Sequence, residues 1–205
     1  MPHPLSETVI DLYRRYAWRW DADRRGSDWN DRAWHEAFLS ELKAGNSVLD
    51  LGCGGGEPVA RFLVECGMRV TGVDSSSEMV TLARDRMPEQ EWIVADMRRP
   101  ALDRRFDGIL AWDSYFHLAH EAQRAMFDVF ERHAAERAVL MFNTGPEQGE
   151  AVSTFTFNGE QLYHASLAPA EYRSLLERHG FEVVRHVAND RRSAGRTVWL
   201  CRRKV

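Results

Sequence analysis

Four acids stand at or near the ends of apolar runs in this chain: Asp50 in VLDLG, Asp74 in VTGVD, Asp96 in IVADM and Asp113 in ILAWD. Directly after the first come Gly52, Gly54, Gly55 and Gly56, interrupted by Cys53, a loop in which positive φ and close backbone approach to a ligand are both open. An acid about 20 residues beyond such a loop is suited to accept both hydroxyls of a ribose. By itself the glycine spacing also matches the dinucleotide fingerprint G-x-G-x-x-G. Past the fourth run, His117 follows Asp113 closely, and His164 lies further on. Imidazole titrates near neutrality, so these three residues are the candidates for taking a proton from a reacting group. His117 reads first as a histidine satisfied structurally at a helix start and only second as a base, and His133 and His179 sit where a helix C-terminus explains them.

Acids at strand ends act together only if the strands are parallel and adjacent. Apolar strands over 47–53, 69–74, 91–96, 106–112 and 137–143 alternate with helical segments over 58–67, 77–87 and 118–133, the pattern of βαβ units. Pro169 opens a further helix that Gly180 closes. FEVVRHVA and RTVWLCRR follow, joined by a turn short enough for antiparallel pairing. The predicted fold is therefore α/β, a doubly wound Rossmann-like seven-stranded sheet, mostly parallel with an antiparallel C-terminal strand and helices on both faces. Its strand-end acids then share one crevice at the carboxyl edge.

Two segments stand outside this alternation. Residues 1–43 hold Trp18, Trp20, Trp29 and Trp34 with Tyr13 and Tyr16, and predict two amphipathic helices, 6–21 and 28–43, split at Gly26 and Ser27. Ser27 or Asp28 is placed to cap the second. Residues 145–168 fit no helix pattern; the STFTF alternation predicts short strands, and an excursion this long is usually a lid or binding loop. We expect one domain over 1–205, with 1–43 as a helical cap and 145–168 as a lid-like insertion.

From about Ser47 to the C-terminus the chain resembles the class I S-adenosylmethionine-dependent methyltransferases, carried by DLGCGGG with Asp50, VTGVDSS with Asp74 and VADM with Asp96, in order. RFDGILAWDSYFHL, LYHASL and TVWLCRR look closest to a bacterial subgroup acting on small molecules. The resemblance implies S-adenosyl-L-methionine as cofactor. Gly52, Cys53 and Gly54 would offer backbone donors to its carboxylate, with Asp50 organising the turn from beneath. Asp74 would take the ribose, Asp96 and the Met97 N–H the adenine edge, and Ser75 and Met79 the purine faces. Trp112, Asp113, Ser114 and Tyr115 occupy the place where the acceptor is presented. There, amino-methyltransferases acting on adenine or glutamine resemble an acid or amide followed by two prolines and an aromatic. DSYF lacks both prolines, which weighs against DNA and protein-amide acceptors. Tyr16 and Trp20 from the cap, with Tyr115 and Tyr163, are the candidate acceptor contacts, although helix-spaced aromatics also serve as core.

The implied activity is methyl transfer to oxygen or nitrogen of a small molecule. Its rivals are a non-catalytic module that binds the same cofactor and, less favoured, a nicotinamide oxidoreductase. A net charge of −4 offers no basic footprint for nucleic acid. Cys53, Cys66 and Cys201 show no metal spacing, and their odd number argues against a disulfide framework. With no apolar run long enough for a membrane span or signal peptide, the expectation is a cytoplasmic monomer or homodimer.

Overall fold

The structure is a computed structural model that describes residues 3–100, 102–157 and 159–205, so the first two residues of the expected cap lie outside it. Alternating apolar residues place β1 (Ser47–Leu51), β2 (Arg69–Asp74), β3 (Glu91–Val94), β4 (Phe106–Ala111), β5 (Ala134–Thr144), β8 (Phe181–Asp190) and β9 (Arg196–Arg203) in one seven-stranded sheet. Its order is β3-β2-β1-β4-β5-β9-β8. The first five pair in parallel, and β9 runs antiparallel to both β5 and β8.

Period-two alternation divides the core into two layers. Leu49, Ile109, Leu140 and Trp199 face one way, under α6 (His120–His133) and α7 (Pro169–Arg178). Val48, Leu110, Met141 and Val198 face the other, under α3 (Arg32–Ser40), α4 (Val59–Glu65) and α5 (Ser77–Arg86). Order reverses between β1 and β4, so the crevice opens where their carboxyl ends part.

The N-terminal segment departs from the predicted pair of helices. A 3-10 turn at Pro4–Glu7 leads into α1 (Val9–Arg15), the helix is interrupted at Tyr16, and α2 (Ala17–Gly26) follows directly. Each piece has its own partner, which accounts for the break. Val9 of α1 packs on Tyr163 and Ala165, whereas Ala17 of α2 packs on Met79 and Leu82 of α5. The third helix starts at Arg32 instead of 28, and neither expected cap serves it: Ser27 Oγ donates back to the Arg24 carbonyl at 2.9 Å.

β6 (Gly149–Phe157) and β7 (Glu160–Ser166) pair antiparallel in a two-stranded sheet separate from the main one. Val152 stands opposite Tyr163 and Ala151 opposite His164. Among the described residues, no helix is long and apolar enough to cross a membrane.

Candidate active site

The loop after β1 folds back on β2. Gly52 N and Cys53 N both donate to the Val73 carbonyl, at 2.7 and 3.1 Å. Gly52 has φ +81°, and a Cβ there would lie 2.4 Å from the Ser114 Cβ, so only glycine lets the ends of β1 and β4 close together. Ser114 seals that junction by donating Oγ to the Leu51 carbonyl at 2.8 Å.

Asp74 ends β2 with each carboxylate oxygen held by one backbone donor, Gly54 N on Oδ2 at 2.9 Å and Ser76 N on Oδ1 at 2.8 Å. The carboxylate is thus fixed in direction, and each oxygen keeps a lone pair for a further hydroxyl. Burial raises its pKa despite these bonds. Beneath the loop, Asp50 is only 4% exposed. Burial, and then the neighbouring Asp74 charge, push its carboxyl up to about 7.

That shift has a sign that can be tested. Between the ordinary Asp value of 3.8 and about 7 the folded protein keeps a proton that the unfolded chain has lost. Asp50 therefore supports the fold below that window and weakens it as pH rises through it. Asp50→Asn is expected to match wild type at about pH 4 and to exceed it at about pH 8 by on the order of 2–4 kcal/mol, in ligand-free denaturation curves. Equal stability at the higher pH would mean that Asp50 is ionised without cost.

A cavity of about 560 Å³ lies over the carboxyl ends of β1, β2 and β4. Gly52, Gly54 and Asp74 line it together with Met79 and Met97, and Tyr13 and Trp20 line it from the cap. The two cap rings meet edge to face at 5.4 Å. Gly52, Gly54, Trp20 and Asp113 also line a narrower space of about 60 Å³ that runs on toward Asp50, Arg24 and Trp112.

The structure thus gathers Gly52, Gly54, Asp74, Ser75, Met79, Asp96, Met97, Asp113, His117 and Trp20 around the larger cavity. Asp50, Cys53 and Trp112 join them around the narrower one. Asp96 lies at the rim. Burial opposes its ionisation, but the Arg98 guanidinium and N–H outweigh that and hold its carboxyl below the ordinary range. Four candidates are not brought to either cavity. Tyr115 is fully buried in the core, its hydroxyl donated to the Gln123 carbonyl at 2.9 Å, because the 3-10 turn at Tyr115–His117 points it under the sheet. Tyr16 sits at the helix break, with the Arg15 guanidinium over its ring. Tyr163 is buried with its hydroxyl on Glu150, and His164 packs against the Phe116 and His117 rings.

The candidates for proton transfer separate by their partners. Asp113 is clamped by Arg196, Nε on Oδ1 at 2.9 Å and Nη2 on Oδ2 at 2.7 Å, and its φ of +49° is fixed by a reciprocal pair with Asn143. Burial alone would raise its carboxyl, and the Arg196 guanidinium brings it below the ordinary range, so it anchors charge and is a poor proton acceptor. His117 is different. Its Nδ1 lies 2.9 Å from the Tyr163 carbonyl, which can only accept, so Nδ1 carries the hydrogen. Burial lowers its pKa to about 4, leaving the ring neutral and Nε2 bare. Nε2 accepts the Tyr13 hydroxyl at 3.0 Å. Tyr13 keeps its proton, since burial and then the Asp113 and Asp74 charges raise its pKa.

Sequence reasoning missed Tyr13 as a site residue, and it missed Arg24, the cation lining the narrow space. A helical-wheel view would show Tyr13 beside Trp20 but not that it meets His117, 104 positions away.

The lining suits a cationic nucleoside-like molecule better than a phosphorylated one. Asp50, Asp74, Asp96 and Asp113 line the two spaces together with Met79, Met97 and the arginines Arg24, Arg98 and Arg124, and neither lysine of the chain, Lys43 or Lys204, is among the lining residues. A Rossmann-like sheet with a backbone-held acid at the end of β2 and a crevice rich in acids at its carboxyl edge is the architecture of nucleoside-binding enzymes. The family model for the methyltransferase domain matches residues 48–136. The protein of Bacillus subtilis named putative methyltransferase YqeM is 38% identical over 202 residues, covering 76% of this chain and 80% of that protein. The chain belongs to the class I S-adenosylmethionine-dependent methyltransferase family. Its match to the trans-aconitate 2-methyltransferase of Paracidovorax citrulli is 41% identical over 76 residues, 36% of this chain and 29% of that protein. The chain thus spans less than a third of the length of the trans-aconitate methyltransferases it matches. In fold, it is similar to the magnesium protoporphyrin IX methyltransferase of Synechocystis PCC 6803 with bound S-adenosylhomocysteine, at a TM-score of 0.74 and 19% identity over 97% of this chain and 99% of that one.

Proposed function

We propose that the protein moves the methyl group of S-adenosylmethionine to an oxygen or nitrogen of a small molecule bound between α1 and His117. The Tyr13–His117 pair carries this reading, because it sets an unprotonated, oriented imidazole nitrogen, hydrogen-bonded to the Tyr13 hydroxyl, against the same cavity that Asp74 lines. When bound, the cofactor supplies an electrophilic methyl on a sulfonium. Asp74 would hold the ribose hydroxyls and Asp96 with the Met97 N–H the adenine. The glycine loop, Cys53, Asp50, Trp112 and Arg24 would enclose the aminocarboxylate. Ser75 and Met79 would flank the purine.

His117 would receive the acceptor's proton at Nε2. A nitrogen with a pKa near 4 is a weak base, yet an attacking hydroxyl becomes strongly acidic as it gains the methyl. The proton can therefore leave late, and a weak base is enough. The Tyr163 carbonyl fixes the ring, and because the single lone pair of Nε2 is taken by the Tyr13 hydroxyl, the acceptor either displaces Tyr13 or passes its proton through the Tyr13 hydroxyl to Nε2. Residues 1–43 and 145–168 serve as covers in this reading, the first through Tyr13 and Trp20, the second through the Tyr163 carbonyl. We place the protein in the cytoplasm, in keeping with three free cysteines, and assign it no nucleic-acid partner, in keeping with the acid-rich crevice.

The test is incubation with methyl-labelled cofactor and a panel of small alcohols, phenols, amines and carboxylic acids. Label is expected in one chemical class. With that acceptor, His117→Ala should lower kcat by about 10²–10⁴-fold, while the Kd for S-adenosylhomocysteine stays within about two-fold. Tight binding of S-adenosylhomocysteine with no transfer to any class would favour the non-catalytic module, and tighter binding of NAD would favour the oxidoreductase.

A further inference from the structure

The glycine loop contains one glycine that its backbone does not require. Gly52, Gly54 and Gly56 have positive φ, and Gly55 does not. What Gly55 lacks is room: a Cβ there would fall 2.3 Å from Asp21 Oδ1 and 2.8 Å from Arg86 Nη1. Those two atoms belong to a fork-to-fork ion pair between the cap and the end of α5. Arg86 Nη1 and Nη2 reach Asp21 Oδ1 and Oδ2, both at 2.6 Å, and Nη1 also donates to the Gly55 carbonyl at 3.0 Å. Asp21 is 4% exposed and takes a further bond from Arg25 Nε at 3.0 Å. One guanidinium thus holds both α2 and the loop that floors the cofactor space.

The position matters because Trp20, next to Asp21, lines both cavities, and Gly54, next to Gly55, holds Asp74. With α2 seated on Gly55, the roof and the ribose acceptor are set together. We propose that Asp21 and Arg86, seated on Gly55, form an ionic latch that couples closure of the N-terminal cap to the glycine loop and sets the rate of cofactor exchange. The latch rests on the reading of this cavity as the cofactor site. Bidentate charge-assisted bonds are the strong class, and this pair is shielded from solvent, so it acts as a discrete catch and not as a diffuse surface attraction.

The test uses the full chain and S-adenosylhomocysteine, with association and dissociation followed by stopped-flow tryptophan fluorescence. Gly55→Ala wedges the latch apart without touching either charge, and Asp21→Asn removes one charge without adding bulk. Each is expected to raise the dissociation rate about ten- to a hundred-fold. Arg86→Lys, which keeps the charge and loses the fork, should fall between them and wild type. The double variant Asp21→Asn with Gly55→Ala should dissociate no faster than the faster single variant, because both open one catch. An unchanged dissociation rate in folded Gly55→Ala, or a lowered melting temperature with wild-type kinetics, would reduce the contact to a structural one and overturn the latch. Multiplying effects in the double variant would do the same. If Asp21→Asn does not fold, Gly55→Ala and Arg86→Lys decide the matter. If the wild type does not bind S-adenosylhomocysteine at all, the cofactor reading falls and takes the latch with it.

Discussion

Replacing Asp74 by alanine is expected to weaken S-adenosylhomocysteine binding by about 1.5–3 kcal/mol, the range for hydrogen bonds to a charged group. Calorimetric titration would read this as a rise in Kd of about ten- to more than a hundred-fold. Loss of the carboxylate would remove the proposed ribose acceptor and also strands the Gly54 and Ser76 donors that fix it. For the same reason asparagine is not a conservative replacement. Each oxygen of Asp74 already faces a backbone N–H, so whichever way the amide turns, its nitrogen meets a donor. Asp74→Asn should therefore lose most of the affinity that alanine loses. A Kd within about two-fold of wild type, with native circular dichroism, would take Asp74 out of the site.

The parts of this fold that follow from local pattern were legible in the residues. Val48, Leu49 and Leu51 alternate between the two core layers as a buried strand should, and the acids of β1 and β2 end where their apolar runs end. What escaped depends on direction and on long-range partners. Tyr115 stands two positions past Asp113 and looked like a neighbour of the reacting centre, but a 3-10 turn carries it under the sheet into contact with Phe142 and Phe130. Tyr13, Tyr16 and Trp20 would share one face of an unbroken helix. The break at Tyr16 leaves Tyr13 and Trp20 facing in together and takes Tyr16 away from both cavities. Tyr163 was singled out for its side chain, and its link to His117 is its backbone carbonyl, which every residue type possesses and no residue-type argument can select. Arg24, Asp31 and Arg196 carry no local signal at all, because their meeting joins the cap to the last strand.

That meeting underlies the largest stability effect expected. Asp31 is fully buried, with Oδ2 accepting the Trp112 Nε1–H at 2.6 Å and Arg24 Nη2 at 3.2 Å, and with Arg196 Nη2 at 3.6 Å. Its turn into this network explains why it does not cap α3, although it occupies the cap position. Asp31→Ala leaves two guanidinium groups sharing Asp113 and strands the indole donor of Trp112. Removing one partner from a buried ion pair typically costs about 3–5 kcal/mol, and urea unfolding of Asp31→Ala should show a loss of that size. Asp31→Asn keeps the volume and an acceptor for Trp112, so it should lose less than alanine. Arg24 and Asp113 also line the narrow end of the cavity, so the alanine variant should bind S-adenosylhomocysteine more weakly even at temperatures where it is fully folded. A destabilisation below about 1 kcal/mol, the scale of an exposed pair, would mean that Asp113 alone suffices for both arginines. In that case the cap is held down by its apolar contacts and by Asp21, and not by Asp31.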